Sequence, residues 1–380
     1  GRKVPAQGFG GLVDSIAPAG REPEPPMNTY LYVGTYTSSK PGEEHREAGI
    51  LRYAVESDGV LRYIAAEASG HNPSFLTVHP SKQYLISVNE LREGEVSAFS
   101  IDRKTGSFTR LNHQPTRGAA PCYLSTDPVG KWLLTANYSS GSFAVHPIQA
   151  DGRLGPMSDH IQHEGKGPNP GRQEGPHAHS IAFDPGGNFV VCCDLGIDTV
   201  RVYRLESSTG KLTLHSQAQT APGAGPRHFA FHPALPFVYV ANELDNTVTQ
   251  AAWDGRAGTI SPLKSWSTLP EGYADETTVA DIHFHPSGRY LYVSNRGHDS
   301  LAMYRVDSAT GELTPLGFQE TFGAIPRNFA ISPNGRFLYA ANQATDNIVC
   351  FRLDEESGLL NATGAEYAAP SPVCLQFLSL

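Results

Sequence analysis

Apolar residues in this chain fall in short runs broken by Gly, Pro, Asn and Asp. Within the runs they alternate with polar residues, the period of half-buried strands rather than helices. The fourth repeat shows the unit. Phe229-Ala230-Phe231 predicts a first strand, closed by the His232-Pro233 turn. Phe237-Val238-Tyr239-Val240-Ala241 predicts a second, and Thr247-Val248-Thr249-Gln250-Ala251 a third after Asp245-Asn246. The more polar stretch from Ile260 to Trp266 predicts a fourth, at an outer edge.

The unit recurs from Asn72 to Glu90, Pro121 to Tyr138, His177 to Asp194, Pro226 to Glu243, Asp281 to Arg296 and Pro326 to Gln343. Its turn prolines are Pro80, Pro128, Pro185, Pro233, Pro286 and Pro333, and successive subtraction gives spacings of 48, 57, 48, 53 and 47 residues. Short strands repeating at roughly 40–50 residues predict a β-propeller, because one blade cannot bury its faces alone. Two ends remain unmatched. Tyr30–Tyr36 reads as a second strand without a first, with Gly49–Val55 as its third. Pro372–Phe377 reads as a first strand without a second. The expectation is therefore an all-β, seven-bladed β-propeller, its last blade closed by the N- and C-terminal strands, leaving no long open edge.

Composition narrows the function. The 380 residues carry a formal net charge of −9, which argues against nucleic acid. No apolar run reaches the ~18 residues a membrane helix needs. Five cysteines, an odd number without C-x-x-C spacing, argue against a disulfide framework or a zinc ribbon and predict buried thiols in a reduced, cytoplasmic setting. Residues 1–26, rich in Gly, Pro and Ala, are expected to be a disordered leader ahead of a propeller domain spanning 27–380, acting as a monomer or weak homo-oligomer.

In a blade the first strand begins where the second ends, so the residues flanking those points gather on one rim. They include Glu90, Tyr138, His177, His179, Arg227, His228, Glu243, Asp281, His283, Arg296, Arg327 and Asn328. The recurring asparagines are expected to be structural, tying turns to the backbone. The residues after them change from blade to blade: Glu243, Arg296 and Gln343 follow the same Asn. Arg227 and Arg327 occupy matching places before the first strand. Three arginines on one mouth predict an anion site. His177-x-His179 has the spacing of a metal pair on one strand face, but no carboxylate cluster lies near it in sequence, and no metal is expected. Gly223-Ala224-Gly225-Pro226-Arg227 opens a strand rather than a helix, which rules out a dinucleotide loop. No G-x-S-x-G elbow is present.

The phrases Tyr32-Val33-Gly34-Thr35-Tyr36-Thr37, Pro121-Cys122-Tyr123-Leu124-Ser125-Thr126-Asp127, Gly225-Pro226-Arg227-His228 with Asn242-Glu243, and Ala280-Asp281-Ile282-His283 with Asn295-Arg296 resemble the seven-bladed lactonase family. That family holds propeller-type 6-phosphogluconolactonases and fungal 3-carboxy-cis,cis-muconate lactonizing enzymes. The resemblance implies a metal-free enzyme, without cofactor, acting on a small anionic lactone or its open acid. It also implies His179, Arg227, Glu243 and Arg296 as the catalytic set. His177, Arg327, Tyr138, His228, Asn328 and Glu90 are expected to bind substrate. Glu243 is expected as general base, with His179 as proton shuttle or alternative base. Hydrolysis of 6-phosphogluconolactone leads. A muconate cycloisomerase and a non-catalytic binding scaffold stand as alternatives, since the fold alone does not choose.

Overall fold

A computed structural model describes residues 28–38 and 48–380. Seven four-stranded antiparallel sheets form the ring. Blade 1 comprises Leu76–Val78, Tyr84–Asn89, Glu95–Ile101 and Phe108–Pro115. Blades 2 to 6 span 121–162, 178–219, 226–267, 278–320 and 326–368. In blade 7 the C-terminal strand Pro372–Ser379 is innermost and pairs with Thr29–Thr35, followed by Ala48–Val55 and Leu61–Ala68. Its register sets Tyr32 against Gln376 and Gly34 against Cys374, so both termini close the ring as expected. The leader expected over 1–26 lies outside the described residues.

Each strand takes its pattern from its place in the blade. The second strand of blade 4, Phe237–Asn242, is covered on both faces by neighbouring blades and is apolar almost throughout. The outer strand Thr259–Ser267 is mostly exposed, which is why it reads weakly in sequence. The inner strand of that blade, Pro226–Phe231, begins three residues earlier than the apolar run suggests, because its first turn of ladder holds polar residues that face the channel.

The core consists of seven apolar seams, one between each pair of blades. Between blades 3 and 4, Phe189, Val191 and Val202 meet Val238, Val240 and Trp253. Between blades 6 and 7, Phe337, Tyr339 and Ile348 meet Leu31, Val33 and Tyr53. Burying one such side chain stabilises by ~1.5–3 kcal/mol, so closure of the ring is favoured at every seam. Polar lacing crosses the same seams. The phenol of Tyr292 donates to the carbonyl of Gly358 at 2.8 Å, and Tyr339 donates to Gly59 at 2.7 Å. His79, His232 and His285, from or beside the turn of one blade, pair through Nε2 with the carbonyls of Gly130, Gly288 and Gly335 in the next. The acceptor must often be glycine. Gly311 has φ +70°, and a Cβ there would sit 2.6 Å from the Phe237 ring of the preceding blade.

Candidate active site

The inner strands break register at their upper ends. In blade 4, Pro226 faces Asn242 and His228 faces Ala241, which leaves Arg227 as an extra residue. Cys122, His179, Arg327 and Val373 are the extra residues of blades 2, 3, 6 and 7. In blade 5 the break spans Ala280 and Asp281. Proline precedes the extra residue at Pro121, Pro226, Pro326 and Pro372; it has no N–H for the ladder, so pairing opens there. Such bulges redirect a side chain. Here Cys122, His179, Arg227, Arg327 and Val373 all line one cavity in the channel, together with Ser74, Glu90, His228 and Asn328.

Glu243 is bonded to Arg227 of this lining and gathers the guanidiniums beside the cavity; only 3 % of it is exposed. Its Oε2 accepts from Arg227 Nε and Arg296 Nη2, both at 3.0 Å. Its Oε1 accepts from Arg172 Nη2 at 2.5 Å. Burial alone would raise the Glu243 pKa, but Arg296, Arg227 and Arg172 more than offset it and bring it down to about 2. Arg227 is pushed down to about 9, by burial first and then by Arg296 and Arg327, and stays charged at neutral pH. Its Nη1 donates to the Ala280 carbonyl at 2.7 Å.

A second group faces it. Glu90 Oε2 accepts from the Tyr36 hydroxyl at 2.9 Å and from the Ser74 hydroxyl. Arg327 lies over the Tyr36 ring, 5.5 Å from its centroid. Among the described residues the Arg327 guanidinium has no hydrogen-bond partner. Arg296 Nε and Gln343 Oε1 are likewise buried without one. Among the described residues, four guanidiniums thus stand against the two carboxylates Glu243 and Glu90, an arrangement suited to an anion.

His179 forms part of the cavity wall, its Nδ1 3.8 Å from Cys122 Sγ and its ring 5.1 Å from that of His228. Burial, then Arg227, His228 and Arg327, hold its pKa well below the usual value, so it is neutral near pH 7. Burial above all raises the Cys122 thiol, which remains protonated. His177 sits outside, stacked on Tyr138 at 4.6 Å, with Nδ1 near the Tyr138 carbonyl and Nε2 near Glu174. The two histidines do not share a strand face: the strand starts at Ala178, and His179 is the bulged residue. His228 and Asn328 touch the cavity, and His228 Nδ1 and Asn328 Nδ2 both bond to Asp281. His283, expected on the rim, lines a second pocket with Tyr123 and Phe284.

Two residues of the site escape sequence reasoning. Arg172 comes from the long connection between blades 2 and 3, which the 57-residue spacing between Pro128 and Pro185 flags as an insertion. The buried Gln173 pins that loop to the Leu195 carbonyl and to Asp198, and so delivers Arg172 to Glu243 and the Tyr138 hydroxyl. Tyr36 follows the strand of blade 7 that lacks an N-terminal partner, so no repeat position marks it. The recurring asparagines have structural work: Asn89, Asn295 and Asn342 donate to loop carbonyls at Ser69, Thr268 and Thr321.

Residues 30–377 match the family described as lactonase, 7-bladed beta-propeller. The chain is 39% identical over 355 residues to the 6-phosphogluconolactonase of Bacillus subtilis, covering 93% of this chain and 99% of that protein. It is 31% identical over 316 residues to the 6-phosphogluconolactonase of Formosa agariphila, covering 79% and 86%. Among solved structures, the periplasmic gluconolactonase of Pseudomonas aeruginosa superposes with a TM-score of 0.86 at 32% identity, over 92% of this chain and 99% of that one.

Proposed function

This chain belongs to the seven-bladed β-propeller lactonase family, and from that premise we propose that it hydrolyses 6-phosphogluconolactone to 6-phosphogluconate. The observation that carries the reading is the surplus, among the described residues, of guanidinium over carboxylate in one channel mouth, with Arg327 held over the Tyr36 ring and hydrogen-bonded to no described residue. A phosphate is the ligand such a mouth favours. Glu90 favours the sugar over a muconate: a hydroxyl-rich ring can donate to that carboxylate, whereas a polycarboxylate would be repelled by it.

Ring opening needs a water deprotonated as it attacks the carbonyl carbon, and a place for the charge that develops on oxygen. Both Glu243 oxygens are engaged and its pKa is near 2, so it is a weak base. Its role in this reading is to hold Arg227, Arg296 and Arg172 in place. The neutral His179 takes the water proton and returns it to the ring oxygen as the C–O bond breaks. Arg227 faces the oxyanion, and Arg327 and Arg172 hold the phosphate. The reading includes a cytoplasmic setting, consistent with five unpaired buried cysteines, and action as a monomer or weak homo-oligomer.

The test is initial-rate hydrolysis of fresh 6-phosphogluconolactone and of unphosphorylated gluconolactone, each corrected for spontaneous opening, beside an ultraviolet assay with carboxymuconate. The phosphorylated lactone is expected to be favoured ~10–100-fold in kcat/KM, the value of one or two charge-assisted contacts. Equal rates for the two lactones would remove the phosphate from the proposal. No acceleration of either lactone, or turnover of the muconate alone, would overturn it.

A further inference from the structure

Arg227 carries a charge at 2 % exposure, so its orientation must be imposed by its neighbours. Nε–H is held by Glu243 and Nη1 by the Ala280 carbonyl. The third contact is His228 Nε2, 3.3 Å from Nη1. Arginine can only donate, so this nitrogen must be bare. A neutral imidazole leaves Nε2 bare when its proton sits on Nδ1, and what lies against Nδ1 decides that. Asp281 Oδ1 lies 2.8 Å from it.

Asp281 is itself over-determined. Its Oδ2 accepts from His283 Nε2 at 2.8 Å and from Asn328 Nδ2 at 2.6 Å, and its Oδ1 also accepts from the Ile282 N–H at 3.0 Å. Asn328 Oδ1 in turn accepts from the Leu375 N–H at 2.7 Å, tying the network to the C-terminal strand. Burial would raise the Asp281 pKa, but His283 and His228 override it and hold the carboxylate well below its usual range, so it is ionised and accepts at every contact. Burial and then Arg227 lower His228 to about 4, which leaves it one proton at neutral pH. The bulge of blade 5 thus supplies two of the constraints on Arg227, the Ala280 carbonyl directly and Asp281 through His228.

We propose that Asp281 and His228 are positioning residues for the reaction: Asp281 fixes the proton of His228 on Nδ1, and the bare Nε2 locks the Arg227 guanidinium so that Nη2, which no described residue engages, is left for the substrate oxygen. The inference rests on the lactonase reading for what Nη2 meets, and on geometry alone for the locked tautomer.

Two measurements test it. In ¹⁵N-histidine NMR of the wild-type protein near pH 7, one residue, assigned through His228→Gln, is expected to show protonated Nδ1 and bare Nε2. A proton on Nε2 would overturn the proposal whether or not any lactone is turned over. In kinetics on 6-phosphogluconolactone, His228→Leu and Asp281→Asn are expected to lower kcat ~10²-fold with KM changed far less, the cost of a misplaced oxyanion donor. His228→Gln, whose amide oxygen can accept from Arg227, is expected to recover most of that loss. Equal loss in the Gln and Leu variants, or wild-type kcat in folded Asp281→Asn, would sink it. If the variants do not fold, the His228 ring is assigned in the wild-type protein by backbone-linked resonances, and its tautomer decides.

Discussion

At the lower end of the inner strands, His79, His232 and His285 repeat one contact, an imidazole on a glycine carbonyl of the next blade. At the upper end the matching positions hold Cys122, His179, Arg227, Arg327 and Val373, and nearby Arg296 Nε and Gln343 Oε1 are buried without partners. Repetition with every partner supplied is what a structural position needs, since each seam faces the same task. Variation with donors unspent is costly in a buried setting unless something else completes the bonds. Unpaired atoms alone do not mark the site, since the recurring Asn137, Asn242, Asn295 and Asn342 each leave Oδ1 without a partner; the change of residue type from blade to blade, gathered round one carboxylate, separates site from scaffold.

The sharpest way to break that contrast is Arg227→Ala. Removing one preorganised donor costs ~10²–10³ in kcat, and Glu243 would also lose one of its three clamps. A loss of ~10³-fold in kcat/KM is expected, and Arg227→Lys should recover little, because a point charge cannot serve Glu243, Ala280 and substrate together. A variant within tenfold of wild type would mean the charged end is scaffold too. The next effects separate Arg327 from Arg172. Arg327→Ala is expected to raise KM for the phosphorylated lactone ~10–100-fold and leave the unphosphorylated lactone alone. Arg172, whose side chain is 39 % exposed, should cost less, up to ~10-fold. The reverse order would move the phosphate to the loop.

The scaffold was largely legible in sequence because each blade solves the same burial problem, so apolar period, turn residues and closing strands repeat. Glu243, Arg227 and Arg296 were legible as departures from that repeat, and they converge on one carboxylate. Three features were not. Arg172 lies in an insertion with no counterpart in other blades. The bulges leave no trace in apolar periodicity, so simple alternation puts His177 and His179 on one face when the extra residue separates them. The basicity expected of Glu243 depends on how many guanidiniums reach it, which spacing does not encode.

Acid should act on buried histidines at both ends, since burial lowers His232 and His285 as it lowers His179 and His228. Burial holds His228 and His146 down to about 4, and His179 is also well below 6.5. Above their unfolded pKa both states are neutral and stability is level. Below it the unfolded chain binds protons that the folded chain refuses, so stability falls until the folded pKa is reached. Each group contributes a slope of up to about 1.4 kcal/mol per pH unit. Glu243, depressed to about 2, is lost only below the ordinary carboxylate range, and His283, raised by Asp281 against burial, is charged in both states below pH 6.5. The window from about pH 6.5 to 4.5 therefore belongs to the neutral histidines. Thermal melts are expected to show Tm falling steadily across it, and a flat Tm would show that these imidazoles are charged in the folded protein.

The smallest effect tests the scaffold half of the contrast. Tyr292→Phe deletes one seam bond between blades 5 and 6, and Tyr339→Phe its counterpart between blades 6 and 7. Each removes a hydroxyl and leaves a buried glycine carbonyl short of a donor, a loss of about 1 kcal/mol. In a protein of this size that is a Tm shift of ~1–3 °C with unchanged kcat/KM. The two variants should match if the blade assembled from both termini is held as tightly as its neighbour. A larger shift at Tyr339 would mark that blade as the place where the ring opens first, since its strands are joined by pairing rather than by a hairpin between Thr29–Thr35 and Pro372–Ser379. A fall in kcat/KM from Tyr292→Phe would show that the seams transmit to the channel mouth, and the separation of scaffold from site would fail at that blade.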